Sequence, residues 1–286
     1  MKKSIVVCLL ACAAVFAESW LSLSVTEEIA SKYTFQGAVV NPDPVSFTSV
    51  YAGAYGFYGI VYATTDLSDF NDPSSNNGYM NDRQYRFEEV DYIGGYEYTF
   101  ETDFSPVTVG AFYEYCQYPH KRNNVVYDPE TMKMVAVGHK TTPHDSEVDF
   151  YVNLDNVLPK DCPVSLKVGT TFSFDLENDC WFGNVCADAG YAVTEKMSVS
   201  VCATGYWRSG KSNEVNFIYG EKTQDFQFNV LEVKPKVSFS VTENVAVEGY
   251  VSYLRSIQKG SGAALEENSM NSRNNLVGGV SVTFSF

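Results

Sequence analysis

The chain ends Val277-Gly278-Gly279-Val280-Ser281-Val282-Thr283-Phe284-Ser285-Phe286. Val280, Val282, Phe284 and Phe286 share one parity, and Gly279, Ser281, Thr283 and Ser285 share the other. A period of two is that of a β-strand, with an apolar face and a face of small polar groups. No amphipathic helix or second sheet accompanies the apolar face, so it is expected to face lipid. A lone strand in lipid leaves its backbone polar groups unpaired. A chain built this way must supply more strands and close them on themselves.

Strand-like runs recur throughout, and almost none of the chain has helical periodicity. Twelve strands are expected, over about 30–39, 45–54, 57–65, 84–99, 106–118, 147–156, 163–175, 181–193, 197–208, 224–241, 245–256 and 275–286. Their connections alternate. Tight links fall around Tyr55-Gly56, 101–105, 157–162, 194–196 and 242–244. Long links rich in Asn, Ser, Gly and charge fall at 66–83, 119–146, 209–223 and 257–274. The first and seventh links, 40–44 and 176–180, are shorter than this alternation predicts.

Composition fits the same reading. Aromatic residues make up 15% of the chain, with 20 Tyr and 19 Phe, as two aromatic girdles require. The formal net charge of −15 argues against a nucleic-acid partner. Residues 1–17 have the form of a signal peptide. Lys2 and Lys3 are its basic start, Ile5 to Ala14 its apolar run, and Val15-Phe16-Ala17 its cleavage site. Leu9-Leu10-Ala11-Cys12 loosely resembles a lipobox, but the segment after Cys12 stays apolar, unlike a lipoprotein tether.

Val25-Thr26-Glu27-Glu28-Ile29, Val193-Thr194-Glu195-Lys196-Met197 and Val241-Thr242-Glu243-Asn244-Val245 share one form. Each is read as a polar hairpin turn clasped by apolar residues. The first copy implies a short strand before it, which would make thirteen, and bacterial barrels have even counts. Residues 18–29 are therefore expected to be an N-terminal periplasmic extension, with the barrel over 30–286.

Two resemblances sharpen this picture. The ending looks like the C-terminal strand of a Gram-negative outer-membrane β-barrel, which implies that Phe284 and Phe286 are an assembly signal read by the outer-membrane assembly machinery. Ser31-Lys32-Tyr33-Thr34-Phe35-Gln36-Gly37 resembles the first-strand motif Ser-x-Tyr-x-Phe-Arg-Gly of a family of proteobacterial outer-membrane barrels. Asn41-Pro42-Asp43-Pro44, Gly56-Phe57-Tyr58 and Glu88-Glu89-Val90-Asp91-Tyr92 stand where that family has its Pro-containing link, its Gly-aromatic strand end and its acidic strand start. Gln36 replaces the family's arginine. The resemblance implies an all-β fold, a transmembrane antiparallel up-and-down barrel with short periplasmic turns and long extracellular loops. It implies residence in the outer membrane of a Gram-negative cell, in contact with its lipid, and no particular activity.

Parity assigns the faces. Val90, Tyr92, Tyr96 and Tyr98 face out, which turns Glu89, Asp91 and Glu97 inward. The same reasoning turns Glu114, Glu147, Asp149, Tyr151, Asp155 and Glu248 inward, with Lys167, Lys234 and Lys236 the main inward cations. Glu89, Asp91, Glu97, Glu114, Asp149, Tyr151, Lys167 and Glu248 are the expected lumen lining. Fixed negative charge of this kind favours cations in a narrow pore for small solutes. The alternative is a barrel plugged by its own side chains, whose long loops bind a partner. A monomer is expected in either case.

Other chemistry finds little support. His120, His139 and His144 lie in the link 119–146 without metal-ligand spacing, so no metal or other cofactor is expected. Five cysteines follow the signal: Cys116, Cys162, Cys180, Cys186 and Cys202. Their number is odd, so at least one thiol stays unpaired within the chain. Cys186 and Cys202 are expected as inward, diagonal neighbours, too far apart for an unstrained bridge, and a Cys180–Cys186 pair and free thiols are comparable alternatives. No Gly-x-Ser-x-Gly occurs, and no histidine falls in an expected strand, so the reading is not that of an enzyme.

Overall fold

The computed structural model describes residues 21–67, 86–118, 125–128, 133–136, 144–159, 161–212, 227–257 and 274–286. The strands are β1 (Leu21–Ala30), β2 (Tyr33–Phe35), β3 (Ala38–Asn41), β4 (Val45–Ala54), β5 (Phe57–Asp66), β6 (Arg86–Phe100), β7 (Val107–Gln117), β8 (Val125–Asp128), β9 (Lys133–Ala136), β10 (His144–Leu154), β11 (Val164–Asp175), β12 (Cys180–Ala192), β13 (Met197–Arg208), β14 (Gln227–Thr242), β15 (Val245–Ser256) and β16 (Asn274–Ser285). Twelve of them form one closed antiparallel barrel, in the order β1-β16-β15-β14-β13-β12-β11-β10-β7-β6-β5-β4. β2–β3 and β8–β9 are separate two-stranded hairpins. The expected short-turn and long-link ends are both present. The links after β4, β6, β10, β12 and β14 lie at the end that holds Leu21 and Phe286, where Phe286 N–H donates to the Leu23 carbonyl at 2.9 Å.

Closure runs through β1. It pairs with β16 from Ser24↔Ser285 to Ala30↔Gly279 and with β4 from Leu21↔Ala54 to Ala30↔Val45. Residues 21–29 are thus wall, where the sequence reading has a periplasmic extension. The expected first strand, 30–39, is not in the wall. It breaks at Gln36 (φ 49°) and Gly37 (φ 78°), where the chain reverses into the β2–β3 hairpin. The count of twelve holds, but a different segment completes it. The segment 21–30 runs ten residues without a turn and alternates apolar with polar residues except at Glu27, as a crossing strand does. The motif Ser31–Gly37 consequently lies in the link after β1 and not in a wall strand.

The repeat divides in the same way. Thr194 and Thr242 cap real turns, Thr194 Oγ1 accepting the Lys196 and Met197 N–H groups at 3.2 and 3.0 Å and Thr242 Oγ1 accepting that of Asn244 at 3.2 Å. The first copy, Val25–Ile29, is continuous strand. Its alternation satisfies a ladder as well as a turn, and tertiary pairing decides between them.

The outer face carries the apolar parity. Val61, Tyr92, Tyr98, Phe150, Val201, Val237, Val251 and Val280 are all exposed there. Phe172, Trp181 and Trp207 pack together at the long-link end, with ring centroids 5.6–5.8 Å apart. Glu27 departs from the pattern. It shares parity with the exposed Ile29, and the Ser46 and Thr48 hydroxyls of β4 each donate to its carboxylate at 2.5 Å. Those bonds replace part of the hydration that lipid withholds.

A lysine at Val280, on the lipid face midway along β16, is predicted to destabilise the barrel by about 2–4 kcal/mol. Ser281→Lys points inward beside Glu28 and Glu248 and is predicted to change stability by no more than about 0.5 kcal/mol. Urea unfolding of protein refolded into phospholipid vesicles measures both.

Candidate functional site

The inner face of the barrel collects the polar parity of every wall strand. All eight expected lining residues carry that parity. Glu89 accepts the Tyr33 hydroxyl at 2.6 Å, and Glu97 accepts that of Tyr151 at 2.6 Å. Asp91 and Asp149 are almost fully enclosed, at 4% and 3% exposure, and Ser173 donates to Asp149 Oδ1. Glu114 lies opposite Glu147 on the β7–β10 ladder. Lys167 is exposed, opposite Asp188. Glu248 accepts the Ser238 hydroxyl at 2.9 Å. The lining residues do not converge on one point. They fall on two sides of the lumen with different charge balance.

On the β12–β16 side two of the carboxylates are ion-paired. Lys234 lies 3.3 Å from Glu232 and Lys236 3.1 Å from Asp188. Glu232 also accepts Tyr206 at 2.5 Å and Ser252 at 2.6 Å. Tyr250 donates to Glu28 at 2.6 Å. On the β6–β10 side, Asp91, Glu114, Glu147 and Asp149 crowd together. Among the described residues, no cationic side chain comes within ion-pair distance of these four. The lumen therefore has one balanced wall and one acidic wall.

The β2–β3 hairpin crosses between them. Tyr33 packs edge-on to Phe47 and reaches Glu89 of β6. On the far side, Phe35 packs against Phe182 of β12, and the Arg208 guanidinium of β13 donates to the Gln36 carbonyl at 2.5 Å. Arg208 is 2% exposed. A Cβ at Gly37 would come within 2.8–2.9 Å of Val230 and Tyr206, so only glycine permits both the turn and this approach. The hairpin narrows the lumen at the long-link end. Sequence reasoning missed this role for Tyr33, Gln36, Gly37 and Arg208. The available signal was Gln36-Gly37, a turn dipeptide inside what reads as a strand. Glu28, Asp188, Glu232 and Tyr250 were accessible by parity.

The cysteine register is as expected. Cys186 lies opposite Thr204 and Cys202 opposite Asp188, a diagonal pair, and all five described cysteines are free thiols. His120 and His139 lie outside the described residues. His144 opens β10, a strand that begins earlier than expected, stacks on Tyr115 and lies 3.7 Å from Glu177.

No protein-family model matches the chain, and no curated protein does so. Among solved structures it is similar to the KdgM porin (TM-score 0.45, 9% identity, covering 93% of this chain and 99% of that one). It is also similar to the NanC porin (TM-score 0.46, 11% identity, 92% and 98%) and to OprB of Pseudomonas putida (TM-score 0.41, 10% identity, 93% and 94%). Similarity at this level assigns neither substrate nor activity. The architecture rests on the strand pairing above.

The Tyr151 ring lies flat over Gly110, its ladder partner, and a Cβ there would collide with the ring. Gly110→Ala is predicted to displace Tyr151, break its bond to Glu97 and cost about 1–3 kcal/mol. Gly249→Ala meets open space and is predicted to cost under about 0.5 kcal/mol. Denaturant unfolding of the two variants makes the comparison.

Proposed function

We propose that this protein is an outer-membrane β-barrel acting as a narrow, cation-preferring channel for small polar or cationic solutes. The observation that carries the reading is the asymmetry of the lumen. A closed twelve-stranded wall encloses a polar interior, and Asp91, Glu114, Glu147 and Asp149 of β6, β7 and β10 have no cationic partner among the described residues. Uncompensated negative charge along a low-dielectric wall concentrates cations. In this reading the signal at 1–17 is cleaved on export, and the assembly machinery reads the terminal strand with Phe284 and Phe286. Phe284 is outward and 39% exposed, open to lipid or to such a partner. The family resemblance at Ser31–Gly37 belongs to the same reading, with the motif serving the lumenal hairpin.

A second reading draws on that hairpin. Because it spans the lumen from β6 to β12–β14, a plugged barrel whose long links bind an extracellular partner also accounts for the fold.

Planar-bilayer recording of the refolded protein across a salt gradient separates the two. The channel reading predicts a small steady conductance with a reversal potential favouring cations. Glu114→Gln with Asp149→Asn is predicted to remove most of that preference. Replacing residues 32–43 by a short Gly-Ser turn is predicted to raise conductance several-fold. A folded barrel that passes no current, with or without the hairpin, contradicts the channel and favours the plugged barrel.

A further inference from the structure

Glu114, Glu147 and Asp149 each bring one carboxylate oxygen to within 4.8 Å of the other two. The register produces this arrangement. Glu114 and Glu147 face each other across the β7–β10 ladder, and Asp149 follows two residues along β10 on the same face. Glu147 is 7% exposed and Asp149 3%. Ser173 of β11, on the side of β10 opposite β7, donates to Asp149 Oδ1. Asp149 Oδ2 is fully enclosed and has no hydrogen-bond partner among the described residues. Buried carboxylates are ordinarily paired, hydrogen-bonded or bound to metal. Here three acidic groups converge, no described cation reaches them, and one enclosed oxygen is left without a donor. Adding a proton would neutralise one group, whereas a cation placed among them would satisfy all three.

We propose that Glu114, Glu147 and Asp149 bind one hard divalent cation, of the Ca²⁺ class, on the inner wall of the barrel. The ligands are all carboxylate oxygens, with no imidazole or thiolate among them, which disfavours zinc and copper. Ca–O bonds of about 2.3–2.6 Å place ligand oxygens on one ion within about 5 Å of each other, the span these three already have. Mg²⁺ demands near-ideal octahedral geometry, while carboxylates from two strands suit the looser shell of Ca²⁺. Water and lumenal groups complete that shell. The bound ion clamps β7 to β10. The site does not depend on the barrel conducting.

Refolded full-length protein in maltoside detergent, stripped with a chelator and returned to chelator-free buffer, is titrated calorimetrically with CaCl₂. The proposal predicts one saturable Ca²⁺ per chain with Kd in the range of about 10⁻⁵–10⁻³ M. It also predicts a higher urea midpoint with Ca²⁺ present. Glu147→Gln and Asp149→Asn should each weaken binding at least about tenfold, since each removes one charged ligand. Both should also abolish the rise in midpoint. Glu195→Gln, in the exposed turn after β12, should bind as the unaltered protein does. No saturable uptake by the unaltered protein, or uptake unchanged in both variants, overturns the assignment. Binding without conductance would sink the channel reading alone. Conductance without binding would sink this site alone.

Discussion

The structure depends on the pairing of β1 with both β16 and β4. A sheet in lipid has no water to hydrogen-bond its edges, so an open edge would strand a row of N–H and C=O groups. Ser24–Ala30 meets β16 on one side, and Leu21–Ala30 meets β4 on the other, so no edge remains. Once the ladder is closed, strand geometry sends alternate side chains outward and inward. The outward set meets hydrocarbon and is apolar, and the inward set must satisfy its own polarity.

The interior solves that second problem unevenly. Tyrosine hydroxyls donate to Glu28, Glu89, Glu97 and Glu232, and Lys234 and Lys236 neutralise the wall of which β14 is part. Flat rings on the wall, such as Tyr151 over Gly110, let a phenol reach a neighbouring strand without filling the lumen. On the facing wall, Asp91, Glu114, Glu147 and Asp149 have no cation within ion-pair distance among the described residues. The hairpin lies between the two, anchored at Glu89 on one side and through Arg208 on the other. In the proposed channel, selectivity and constriction arise from separate parts, the first from β6, β7 and β10 and the second from the link after β1.

Much of this was legible in the sequence. The strands at 45–54, 197–208 and 245–256 coincide with the observed ones, and eight others differ by a few residues at their ends. Parity turned Glu114, Asp149 and Glu248 inward because a lipid face penalises charge heavily. The sequence reading failed where two segments competed for one place. Both 21–30 and 30–39 look like strands, and Val25–Ile29 resembles two real turns. What separates them is non-local, since β1 finds partners more than 250 residues away while 33–41 is held by contacts across the lumen. Glu27 also escaped the parity argument, because its compensation comes from Ser46 and Thr48 on another strand. The acidic trio was visible only in part. Glu114, Glu147 and Asp149 were each inward by parity, but that Glu114 lies opposite Glu147 follows from register, which the long link 118–143 hides.

The measurement that tests the account most directly is a nitroxide accessibility scan of positions 25 to 29 in protein refolded into phospholipid vesicles. The account predicts alternation. Labels at 25, 27 and 29 should collide with oxygen dissolved in the bilayer, and labels at 26 and 28 should collide with a water-soluble nickel chelate. Uniform exposure to the chelate across all five positions would put this segment outside the wall. It would contradict the closure on which the twelve-stranded barrel rests.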